Sequence, residues 1–175
     1  TLGQLASASG LSKSGLFAHF RSKEQLQIEL LNEMAQAAGR VVVDPAMQAA
    51  EGLPRLSAVM NLWLGWYRRD VLSGGCPVAA ALFELDDVDG EVRSHAAKLE
   101  EHWREQLRQF VMAAKGAGHL SAGTDVEQFV WELCGIYLSH HVSSRFLRDH
   151  DADLRAKRAF DALVQRHRSN PKGKV

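Results

Sequence analysis

Cys76, His140, His141 and a short run from Lys13 to His19 carry the side chains whose types and spacing could do chemistry. Cys76 follows Gly74-Gly75 and precedes Pro77, a setting that starts a helix. A helix N-terminus can lower a thiol pKa, as an electrophile or redox sensor would require. The commoner fate of such a cysteine is to pack as a small buried hydrophobe. Cys134 lies in the most apolar segment and reads as structural. His140 and His141 are adjacent, so on a helix they point about 100° apart and do not readily share one ion. One of the two is expected at an interface or pocket. The sequence contains no H-E-x-x-H, no Walker loop, no G-x-S-x-G and no Glu-x-x-His pair, so neither a catalytic set nor a cofactor is expected.

Lys13, Ser14, Phe17, Ala18 and His19 form a different kind of set. Lysine bonds guanine edges or phosphate, serine reaches either, and an apolar ring can touch a thymine methyl. Thr1 and Lys23 stand at expected helix N-termini, where free amides and the helix dipole favour a phosphate. Contact with nucleic acid is the chemistry these residues allow.

The elements that must position them read as helices throughout. Most of the chain carries apolar residues at i, i+3, i+4 and i+7, prolines number four, and β-branched runs are scarce. Three capping boxes mark helix starts: Thr1 with Gln4, Ser22 with Gln25, and Thr124 with Glu127. The pattern predicts a helix over 2–9 ended by Gly10, a second from a Ser12 cap to Phe20, and a long one from Lys23 to Val43 stopped by Asp44-Pro45. The next starts near Leu53 with Pro54 in its first turn and runs on through Tyr67 to Val71. After the Ser73-Gly74-Gly75 loop come a short helix behind Pro77, a break at Asp86–Gly90, and a long helix to Gly116/Gly118. A deeply apolar helix over 125–148, a last one over 153–167 and a polar tail complete an all-α chain.

Composition bounds the function. The 175 residues are 46% hydrophobic, which is enough for a packed core. Two cysteines are too few for a disulfide framework or a structural zinc site. No apolar run is long enough to span a membrane, and no leader pattern opens the sequence. A cytoplasmic setting is expected. The formal net charge of zero hides an asymmetry. Residues 1–23 carry Lys13, Arg21 and Lys23 and no acid, whereas 24–154 hold 11 basic and 20 acidic side chains. A basic end on an acidic body fits a nucleic-acid-facing head, and equally a merely solvated surface.

Residues 2–20 give the finer signal: helix, Gly-containing turn, helix, with Leu16 and Phe20 four apart on the inner face. That is a helix-turn-helix arrangement, whose second helix enters the major groove by its N-terminal end. Thr1–Leu30 resembles the helix-turn-helix of the tetracycline-repressor (TetR) family. The likeness is carried by Leu5-Ala6, Gly10-Leu11-Ser12, Leu16-Phe17-x-His19-Phe20 and Ser22-Lys23-Glu24-x-Leu26. It spans about a sixth of the chain. The family usually has Tyr where Phe17 stands, and has an opening helix that precedes the segment starting here at Thr1.

The resemblance implies that Thr1, His19 and Lys23 grip phosphates while Lys13, Ser14 and Phe17 lie closest to bases. It implies a DNA-binding head over 1–30, an effector-binding and dimerisation body over 31–168 and a flexible tail over 169–175. Between the central helices it implies a cavity for a small-molecule effector, with Trp63, Trp66, Cys76, Phe83, Trp103 and Tyr137 as expected lining. Aromatics at helical spacing otherwise belong to a core. The implied function is a repressor that binds a palindromic operator as a homodimer, through the helices at 125–148 and 153–167. The alternative is a helical ligand sensor that does not touch DNA.

Overall fold

The computed structural model describes residues 2–10, 12–69 and 75–169; the side chains at 2, 3, 5, 13, 16, 17, 19 and 69 are outside the description. The expected positions Thr1, Leu11, Val71, Ser73-Gly74 and the tail beyond Ser169 therefore lie outside the described residues. Those described are helical and hold no strand beyond an isolated bridge between Leu120 and Arg168.

The head is built by local rules. Helix α1 (Leu2–Ser9) ends at Gly10, whose φ of +68° is the left-handed turn that glycine adopts without strain. Helix α2 (Lys13–Phe20) starts where the Ser12 hydroxyl accepts the Gly15 amide at 3.0 Å. Arg21 turns the chain at φ +57°, and the Ser22 hydroxyl then accepts the Gln25 amide to start α3 (Lys23–Ala38). The reciprocal half of that capping box is not made, because the Gln25 side chain donates to Glu29 one turn on.

The long helix does not stop at Asp44-Pro45. It widens into a π turn over Gly39–Val43, in which the Asp44 amide reaches back to the Gly39 carbonyl, and continues as α4 (Asp44–Ala46). In a regular α-helix the Pro45 ring would strike the Val41 carbonyl. The wide turn is where the chain absorbs that clash. Val42 and Ala46, on either side, are fully buried.

Helix α5 (Leu53–Trp63) has Pro54 in its first turn, as expected. Its stripe does not run through to Val71. Gly65 adopts φ +67°, breaking the helix and starting α6 (Trp66–Arg69) on a new axis. Trp66 and Tyr67, which open α6 after the break, are both buried in the core. Helix α7 (Pro77–Glu84) follows, then α8 (Glu91–Gly116), α9 (Val126–Arg145) and α10 (Ala152–His167). The cap of α9 is Asp125, which accepts the Gln128 amide, rather than Thr124. Glu127 is drawn away to Arg108 of α8, so the third capping box is not formed.

One core joins α5, α8, α9 and α10 around Leu56, Leu107, Phe129 and Leu163. Helix α3 lies across α7 and α8, fixed by a 2.6 Å bond between Asn32 and His95. No helix among the described residues is long and apolar enough to cross a membrane.

Candidate effector cavity and nucleic-acid interface

The cavity lies among α3, the π turn, α5, α6, α7, α8 and α9 and encloses about 400 Å³. The helix break at Gly65 places Trp66 in its wall, and the Cys76-Pro77 start of α7 supplies Cys76 and Ala79. Trp63 lies flat against Tyr137, with centroids 4.2 Å apart, and meets Trp103 edge-on at 5.1 Å. Trp66 Nε1 donates to the Tyr137 hydroxyl at 3.2 Å. Burial pushes the Tyr137 hydroxyl well above the usual phenol range, so it stays protonated. Five of the six residues expected at a pocket, Trp63, Trp66, Cys76, Trp103 and Tyr137, are thus brought together.

Phe83 is not among them. It stands 58% exposed on the outer side of α7, because the inner side of that helix is taken by Val78, Ala79 and Leu82. Neighbours on a helix differ by about 100°, so Leu82 facing inward sends Phe83 away.

Sequence reasoning missed the rest of the wall. The end of α3 and the π turn contribute Gln36, Gly39, Val42 and Val43. Helix α8 contributes Leu99, Glu100 and Gln106, and α9 adds Cys134, read from sequence as structural. Burial pushes the Cys134 thiol up to about 11. Glu100 sits in this wall with its carboxylate 2.8 Å from Arg104 Nε, and burial raises its pKa in spite of that partner. Cys76 is buried, its sulfur accepting the Ala79 amide at the start of α7.

The two histidines separate as their spacing requires. His140 is buried, with Nε2 2.6 Å from Asp153 Oδ1, and Arg68 binds both oxygens of the same carboxylate. Arg68 and then His140 hold the Asp153 carboxyl down at about 2. His141 faces the edge of Tyr67, and burial lowers its pKa. Tyr67 also hydrogen-bonds Ser144 of α9 at 3.0 Å. Consecutive residues of α6 therefore tie the cavity wall to α9 and α10.

The outer side of α9 and α10 forms a second concavity of about 490 Å³, floored by Gly135, Ser139, Ala156 and Ala159. Trp131 stands 65% exposed at its edge, and Phe146, at the end of α9, is 84% exposed.

In the head, Ser14 and Ala18 are exposed on α2, and Ser14 shares a 3.0 Å hydrogen bond with Ser12. Lys23 is exposed at the first turn of α3. Beside it, a backbone amide and the Ser22 hydroxyl hold the Glu24 carboxyl below its usual range, as the positive end of a helix does for an anion. Lys13, Phe17 and His19 lie on α2 by their backbone, with side chains outside the description.

Comparison with known proteins places these features in a wider group. The family described as tetracyclin repressor-like, C-terminal domain, matches residues 52–160. The nucleoid occlusion factor SlmA of Cronobacter sakazakii (strain ATCC BAA-894) is 26% identical over 162 residues, covering 90% of this chain and 79% of that protein. A TetR transcriptional regulator from Chloroflexus aurantiacus J-10-fl superposes with a TM-score of 0.81 at 21% identity, over 94% of this chain and 82% of the other. AibR, solved in complex with isovaleryl coenzyme A and operator DNA, superposes with a TM-score of 0.69 at 21% identity, over 97% and 87%.

Proposed function

The chain belongs to the tetracyclin repressor-like family of transcription regulators, and from that premise we infer that it is a homodimeric repressor released from its operator by a small molecule. The head over 1–30 reads DNA, the body over 31–168 binds effector and partner subunit, and 169–175 is a tail. The observation that carries this reading is continuity. Helix α3 starts in the helix-turn-helix, and its end, with the π turn that continues it, forms part of the cavity wall.

A single short recognition helix gives too little contact for tight specific binding. Two copies related by a two-fold axis would present both α2 helices to half-sites about one helical turn, roughly 34 Å, or a multiple apart. The exposed apolar side of α9 and α10 supplies the self-complementary surface such a dimer needs, packing as four helices. A ligand touching the π turn favours one setting of α3 over another, and so one spacing of the recognition helices. A coupling of about 1–3 kcal/mol changes DNA affinity about 5–150-fold. Isovaleryl coenzyme A in AibR supports a small-molecule effector for this chain as well. Operator occupancy would repress by excluding polymerase.

The test is retention on a long mixed-sequence duplex as potassium chloride is raised. The logarithm of affinity should fall linearly with that of salt, by about 0.9 for each phosphate contacted. Lys23→Ala, at an expected phosphate contact, should reduce the slope by about 1, and Lys13→Ala should weaken binding and leave the dimer intact. Unchanged affinity in that variant would place the recognition surface elsewhere.

A further inference from the structure

Resting on the reading of the cavity as the effector site, we propose that it selects a lipophilic cation, with the Glu100 carboxylate as the charge-selecting group. Among the described residues, the lining holds two carboxylates, Asp44 and Glu100, one exposed histidine, His102, and no lysine or arginine. The remainder is chiefly apolar and aromatic, with Trp63, Trp66, Trp103 and Tyr137 in the wall. Indole and phenol faces attract a cation with delocalised or alkyl-shielded charge, most strongly where water is excluded. A ligand carboxylate or phosphate would instead be desolvated beside Glu100 with no lysine or arginine in the lining to balance it.

Glu100 has its ion-pair partner, Arg104, one turn along its own helix and not in the cavity lining, and only a fifth of the Glu100 side chain is exposed. Burial still raises its pKa, so the loss of water outweighs the guanidinium. A ligand ammonium in the cavity would give this half-buried carboxylate a second cationic partner, in addition to Arg104 outside the lining. Asp44, exposed at the end of the π turn, adds negative potential to the lining. The same π turn joins the cavity to α3, so the ligand sits where it can act on the head.

The experiment titrates the full chain by calorimetry with three compounds on one skeleton: naphthylmethyl trimethylammonium, naphthylmethanol and naphthoate. The ammonium should bind about tenfold tighter than the alcohol, with naphthoate the weakest. Glu100→Gln should erase the advantage of the ammonium and keep the affinity for the alcohol. Arg104→Met, which frees Glu100 from its partner, should enlarge the advantage. Naphthoate binding as tightly as the ammonium, a preference that survives Glu100→Gln, or no binding by any compound would each overturn the proposal. Duplex retention measured with each compound separates this from the functional reading. Glu100-dependent ammonium binding without DNA release would keep the selectivity and sink the effector role. Release by naphthoate would do the reverse.

Discussion

Trp66 of α6 donates its indole proton to the Tyr137 hydroxyl of α9 at 3.2 Å, and the face of Tyr137 carries Trp63 of α5 at 4.2 Å. One phenol thus holds two walls of the cavity together. Tyr137→Phe keeps the stack and strips the hydroxyl that accepts a buried indole N–H. A buried donor left unsatisfied costs about 1–3 kcal/mol. Urea unfolding should show that loss, with the midpoint lowered and the slope unchanged. A stability equal to wild type would mean that Trp66 finds another acceptor.

The triad of Arg68, Asp153 and His140 makes stability depend on acid. The folded-state pKa of Asp153, about 2, lies below its ordinary 3.8. The carboxylate therefore contributes stability that is fully present above pH 4 and is lost as pH falls toward 2. The contribution is modest, since Asp153 is 65% exposed and solvent screens the pair. Glu100 acts in the opposite sense. Its raised pKa costs stability once pH climbs above the ordinary carboxylate range, so Glu100→Gln should stabilise the protein near neutrality. Thermal melts of Asp153→Asn and Glu100→Gln across pH check both signs.

The outer side of α9 and α10 should hold the second copy. Trp131→Glu places a charge at the edge of the Gly135/Ala156 concavity, where a partner would have to bury it. Sedimentation should find wild type dimeric and this variant monomeric, with helical content by circular dichroism unchanged. A dimer that persists in Trp131→Glu would assign pairing to another surface.

Pro45→Ala tests the π turn as the mechanical link. Removing the ring lets Gly39–Val43 tighten toward a regular α-helix. DNA affinity without ligand should survive, while the change in affinity on adding a cavity ligand should shrink from about 5–150-fold toward none. A response as large as that of wild type would remove the π turn from the mechanism.

Local chemistry was legible in the sequence. Gly10, the Ser12 and Ser22 caps, Pro54 and Cys76-Pro77 each set an element boundary through their own backbone or side chain, and the helices start and stop there. Features decided by distant partners were not. Gly65 sits inside an apolar stripe that runs on through Tyr67, and its left-handed turn shows only in the structure. Thr124 and Glu127 match a capping box, yet Arg108, distant in sequence, competes for Glu127. Pro45 reads as a stop, but the packing of Val42 and Ala46 carries the helix through it. In the cavity, aromatics flag themselves by size. Glu100, Gln36 and the π turn carry no such signal, because their inward position depends on how α3 and α8 cross.

The measurement closest to the central claim is selection of bound fragments from a random-sequence duplex pool at moderate salt, using the dimeric protein. The account predicts enrichment of one two-fold-symmetric motif with half-site centres about 34 Å or a multiple apart. Failure of a well-folded dimer to enrich any motif would contradict it and leave a helical ligand sensor that has kept the fold without reading DNA.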